Sequence, residues 1–143
     1  MGARKISITG LPQIGCLPIQ STVGSITPGP NMFQHECVDE QNTDSQAYNA
    51  KLQALFTSLE ASLPGAKIAY PDMYSPLIDM IVNPRKYGFE HTLRSCCGTG
   101  YIEMAGLCSS LTIPICKDSS KFIFFDAIHP TEAAYQKIAN DMI

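Results

Sequence analysis

Apolar and polar positions alternate over Lys5–Thr9, where Ile6 and Ile8 stand between polar neighbours, and this period of two predicts a strand. Gly10-Leu11-Pro12 breaks it. The stretch from Gly15 to Cys37 is rich in Pro and Gly, so it reads as an irregular, exposed loop. Thr43 and Gln46 have the spacing of a capping box. Tyr48, Leu52, Leu55, Phe56, Leu59 and Leu63 follow at helical spacing, until Pro64-Gly65 stops the helix. Lys67–Pro71 predicts a short buried strand. Ser75 as N-cap and Pro76 at the first helical position open a second helix that ends before Asn83-Pro84. From Tyr87 to about Cys116 periodicity fades, and a long loop held by bridges is expected. Lys121–Phe125 is strand-like again, and Ala134, Tyr135, Ile138 and Met142 mark the inner face of a closing helix. Strands alternating with helices predict an α/β fold with a parallel sheet. There is no internal repeat and no domain boundary, so residues 1–143 form one domain or part of one.

Composition narrows the function classes. The 143 residues are 45% apolar and 16% charged, with net charge −3 and a pI near 5.5. Scattered basic residues on an acidic chain argue against nucleic acid as a partner. No apolar run approaches the roughly 18 residues of a membrane span. Six cysteines suggest an oxidising, extracellular setting. Cys16 is expected to pair with Cys37 across the Pro/Gly-rich loop, and Cys96 and Cys97 each to take one of Cys108 and Cys116. A bridge between neighbouring Cys96 and Cys97 would be strained. Zinc is a competing use of the thiols, but no C-x-x-C pair supports it. The start, Met1–Ser7, shows no signal segment and no myristoylation motif, since Ile6 stands where Ser or Thr is needed. A secreted-type cysteine set without a signal segment reads as part of a longer chain.

Candidate chemistry gathers after Phe122–Phe125, where Asp126 and His129 stand three residues apart. That spacing lets a carboxylate orient an imidazole and stabilise the cation it becomes. In a parallel α/β sheet, functional groups collect beyond the carboxyl ends of strands. The other candidates are weaker. His35 and His91 read as loop residues, Asp72 as a partner for turn amides, and Asp79 as an exposed helix residue. No nucleophile is evident: there is no G-x-S-x-G, Ser25 lies in a loop without a flanking strand, Ser119 lacks a neighbouring Gly, and Ser95 before the two cysteines reads as structural. Neither a phosphate loop nor a dinucleotide fingerprint appears, so no cofactor is expected.

Five stretches stand in order along the chain: Gly10-Leu11-Pro12-Gln13-Ile14-Gly15-Cys16-Leu17-Pro18, Tyr48–Leu52, Asn83-Pro84 with Tyr87-Gly88-Phe89, Cys96-Cys97-Gly98-Thr99-Gly100, and Phe125–Tyr135. Together they resemble the plant GDSL-type esterase/lipases, a branch of the SGNH hydrolase superfamily. Gln13 stands where the family usually has Pro, and Phe125 where it often has Trp. The resemblance implies the C-terminal part of a flavodoxin-like three-layer α/β/α sandwich, its N-terminal strands missing. It assigns Asp126 and His129 to a catalytic triad acting on a small-molecule ester or lipid. The family's Gly-Asp-Ser nucleophile block, and the Gly and Asn of its oxyanion hole, are not found in this sequence. These residues alone are therefore expected to be inactive, with the other half of the domain as the partner they need. Lys5–Thr9 should then expose an unpaired edge. A non-catalytic, disulfide-bonded remnant that binds lipid, carbohydrate or protein is the alternative. An in-frame Gly-Asp-Ser segment upstream would discriminate the two.

Overall fold

The computed structural model describes residues 3–26, 28–29, 32, 34–109 and 113–141. β1 (Lys5–Ser7) pairs in parallel with β2 (Lys67–Ala69), Ile6 opposite Ile68, as β-branched residues on an extended ladder favour. Flanking bonds extend the pairing: Lys67 N donates to Arg4 O at 2.7 Å and Ile8 N to Ala69 O at 3.1 Å. The two-stranded sheet is more exposed than the pattern predicts. Lys67 and Ala69 face solvent rather than a core, and Ile6 and Ile8 are 39% and 38% exposed. Cover comes from α2 (Asp39–Ser62), whose Glu60 Oε1 accepts from Ile68 N at 2.6 Å, while Phe56 packs against Tyr70.

The expected loop over Gly15–Cys37 contains a helix, α1 (Pro18–Ile26). Its inner face is small and polar: Pro18, Ser21 and Ser25 are buried while Val23 and Ile26 are exposed, so hydropathy gave no sign of it. Pro18 lacks an N–H that a helix start leaves unpaired anyway, and its carbonyl accepts from the hydroxyls of Ser21 and Thr22. α2 is longer than the capping box implies. It opens at Asp39 with acidic Asp39 and Glu40 in its first turn, which suits the helix dipole, and Thr43 Oγ1 donates to Asp39 O instead of capping. Its buried stripe begins with Asn42, Ser45 and Asn49 and turns apolar only at Phe56; Tyr48, Leu55 and Leu63 face solvent. The asparagines receive the loop after β1. Asn42 Oδ1 accepts from Gly15 N at 3.0 Å, and Asn49 bonds both Leu11 N and Leu11 O. A Cβ at Gly15 would collide with the Val38 carbonyl, which is why glycine stands there. Gly65, at φ 77°, ends the helix region as expected.

The core lies further along. α3 (Tyr74–Val82) contributes Leu77 and Met80, α5 (Glu132–Asp141) contributes Ala134 and Ile138, and Phe89, Ile123 and Phe124 fill the space between. α3 starts one residue before the expected Ser75 cap, because Asp72 Oδ1 accepts from Tyr74 N and Ser75 N. A short α4 (Pro84–Tyr87) follows, closed by Gly88 at φ 85°. Lys121–Phe125 is not a sheet strand. Phe122 bridges to His91 and Phe124 to Pro130, while Cys96 N and Cys97 N donate to Phe124 O and Phe125 O. The apolar run is buried by packing, and its backbone is satisfied by loops. On α5, Tyr135 is 43% exposed, and Met142 lies outside the described residues.

Candidate active site

Ile123 and Phe124, with no exposed surface, fix the chain on one side of Asp126, and Ala127, equally buried, fixes it on the other. The turn between them is built by the carboxylate itself. Asp126 Oδ1 accepts from Ile128 N at 2.8 Å and His129 N at 2.7 Å, while Phe125 N donates to His129 O at 2.8 Å. Asp126 Oδ2 accepts from Ala105 N at 3.0 Å. Both oxygens lie against His129 Nδ1, at 3.0 and 2.9 Å. Burial pushes the Asp126 carboxyl up, but the donors of His129, Ala105 and Ile128 outweigh it and hold the group below its ordinary value. An ionised carboxylate only accepts, so His129 Nδ1 is the donor in this contact, an arrangement that turns Nε2 away from the carboxylate. The side chain of Asp126 is 5% exposed and that of His129 is 58% exposed, so the carboxylate is sealed and the imidazole is open to solvent.

Ala105 reaches Asp126 from a closed loop. Cys97 pairs with Cys108, and Cys96 with Cys116, one of the two arrangements expected; Cys16 pairs with Cys37 as expected. Inside the 97–108 loop Glu103 is buried, accepting from Thr99 N at 3.1 Å, Thr99 Oγ1 at 2.8 Å and Ile102 N at 3.4 Å. Burial opposes ionisation of Glu103, yet the Thr99 and Ile102 donors hold its carboxyl down at about 2. Its own carbonyl accepts from Ala127 N at 2.8 Å. Neither Glu103 nor Ala105 was singled out in the sequence. The only signal was a carboxylate shortly after two glycines between bridged cysteines.

The remaining candidates serve other ends. His35 stacks on Tyr101 and His91 on Phe122, with centroids 4.3 and 4.1 Å apart. Asp72 satisfies turn amides, as expected. Asp79, read from its place on a helix as exposed, is also tied down: Lys86, Tyr87 and Asn83 all bond it and hold its carboxyl at about 2. Ser25 donates to Thr22 O inside α1, Ser95 is buried, and Ser119 sits in a short helical turn. Among the described residues no hydroxyl hydrogen-bonds His129. None of their helices is long and apolar enough to cross a membrane.

Residues 1–142 match the family described as GDSL-like Lipase/Acylhydrolase. The chain is also similar to GDSL esterase/lipases of Arabidopsis thaliana. One is 54% identical over 97% of this chain and 38% of its own length. A second is 47% identical over 98% of this chain and 37% of its own length. A third is 46% identical, with the same two shares of 98% and 37%. The chain thus spans less than two-fifths of the length of these curated relatives.

Proposed function

The chain belongs to the GDSL-like lipase/acylhydrolase family, and from that premise we propose that it supplies the general base and its orienting acid to a serine ester hydrolase. The observation that carries the reading is the Asp126–His129 pair, buried on the carboxylate side and open at the imidazole edge. His129 Nε2 takes the proton of an attacking serine, and Asp126 holds the imidazolium that results. The serine oxygen bonds to the ester carbonyl carbon, and the tetrahedral intermediate collapses as His129 protonates the departing alcohol. Water then repeats the sequence on the acyl-serine, with His129 again as base.

In this reading the serine and the oxyanion donors come from family blocks outside these residues, and residues 1–143 are the C-terminal portion of the hydrolase domain. The complete domain would be a three-layer α/β/α sandwich of SGNH type, with further strands beside β1. Exposed Ile6 and Ile8 support that extension. Three disulfides favour a secreted protein, and the family favours a small ester or lipid substrate.

The test is hydrolysis of a short-chain p-nitrophenyl ester. These residues alone are expected to show none above buffer. A longer chain bearing the Gly-Asp-Ser block should hydrolyse it, and His129→Ala should cut turnover by a factor on the order of 10⁶. Hydrolysis by residues 1–143 alone, or turnover indifferent to His129→Ala, would overturn the reading.

A further inference from the structure

Asp126 is fastened from two directions, and the second has a cause of its own. The backbone donor to Oδ2 is the amide of Ala105, the one non-glycine with positive φ among the described residues, at 49°. A backbone held in the left-handed region costs an alanine energy, and it persists only where the surroundings impose it. Here the surroundings are the Cys97–Cys108 loop and the carboxylate folded inside it. Glu103 gathers Thr99 and Ile102 from within the loop. Gly98 gives it room: at φ 63°, a Cβ there would lie 2.6 Å from the Glu103 carboxyl carbon. Outward, the Glu103 carbonyl takes the amide of Ala127, the residue next to Asp126, so one residue grips both the loop and the turn.

We propose that Glu103 is a positioning residue: by holding the disulfide-closed 97–108 loop in shape, it aims the Ala105 amide at Asp126 and thereby fixes the tautomer and orientation of His129. The consequence for catalysis rests on the hydrolase reading, but the geometric claim does not. With Glu103 removed, Thr99 N and Ile102 N lose their acceptor, the loop relaxes, and Asp126 keeps only the donors of its own turn. His129 is then free to swing and to exchange its proton between Nδ1 and Nε2.

The experiment records the imidazole nitrogen resonances of His129 in the full 143-residue chain, by two-bond proton–nitrogen correlation above the pH at which the ring is charged. In the parent protein the Nδ1-protonated form should dominate. In Glu103→Ala its share should fall by about twofold or more, toward the ordinary preference for Nε2–H, with far-ultraviolet circular dichroism unchanged. Glu103→Gln keeps a carbonyl acceptor for Thr99 N and should restore most of the parent pattern. A residue that merely stabilised the fold would shift the melting temperature without moving the tautomer. Should Glu103→Ala not fold, Thr99→Val removes only the 2.8 Å hydroxyl donor, and a smaller loss in the same direction is expected. An unchanged His129 pattern in a folded Glu103→Ala or Thr99→Val protein, or an Nε2-protonated ring in the parent, overturns the proposal. Lack of esterase activity in the longer chain, with the parent pattern intact, would sink the hydrolase reading and leave this one standing.

Discussion

The residues before Pro71 and those after it are held by different forces. In the first region β1 and β2 pair, and the loop between β1 and α1 hangs on the side-chain amides of Asn42 and Asn49 and on the Cys16–Cys37 bridge. Among the described residues few apolar side chains are buried there, Phe56 being the largest of them. The second region has the contiguous apolar cluster, with Leu77, Met80, Phe89, Ile123, Phe124, Ala134 and Ile138 in contact, and two further disulfides. Asp126 and His129 stand on the second. A carboxylate that must hold an imidazole within about half an ångström needs neighbours that cannot repack, and a dense core supplies them. Directional polar bonds in the first region set the path of the chain and leave Ile6 of β1 and neighbouring Ile8 partly exposed.

Substitutions can sharpen this contrast. Phe124→Ala should cost about 3–5 kcal/mol, because it opens a cavity beneath Asp126, while Leu55→Ala on the exposed face of α2 should stay within about 0.5 kcal/mol. Urea midpoints of the two variants measure the difference, and equal losses would erase the distinction between the regions. Acid should act mainly on the second region as well. Glu103 sits at about 2 against an ordinary 4.5, so its contribution is fully present above about pH 4.5 and is lost as pH falls toward 2. Asp126, also lowered, acts in the same sense. Urea midpoints taken across that window should fall in the parent and fall less in Glu103→Gln. An effect smaller than that of Phe124→Ala belongs to the first region. Gln13 is fully buried with neither amide atom bonded, and its φ of −72° is one proline adopts. Gln13→Pro should therefore stabilise by about 1 kcal/mol, read as a rise in the urea midpoint.

Legibility in the sequence follows the same division. Where burial is apolar, the pattern located it: helical spacing marked Ala134 and Ile138 on α5, and a continuous apolar run marked Ile123 and Phe124 before the site. Where burial is polar, hydropathy misled. α1 hides Ser21 and Ser25 and shows Val23 and Ile26, and the inner stripe of α2 begins with asparagines. The Asp126–His129 pair was legible because three residues of a single turn bring the two groups together. The Ala105 amide and Glu103 were not, because a backbone donor has no residue signature and the loop that aims it is shaped by a disulfide and by contacts more than twenty residues away in sequence.

The most direct test of the central claim, that His129 and Asp126 activate a serine lying outside these residues, is labelling with a fluorophosphonate that reacts only with an activated serine. Applied to the protein in its source tissue and followed by peptide mapping, it should mark a serine on a polypeptide that also yields peptides of this chain. In recombinant form the label should vanish with His129→Ala. A labelled serine among residues 1–143, or labelling that survives His129→Ala, would contradict the account.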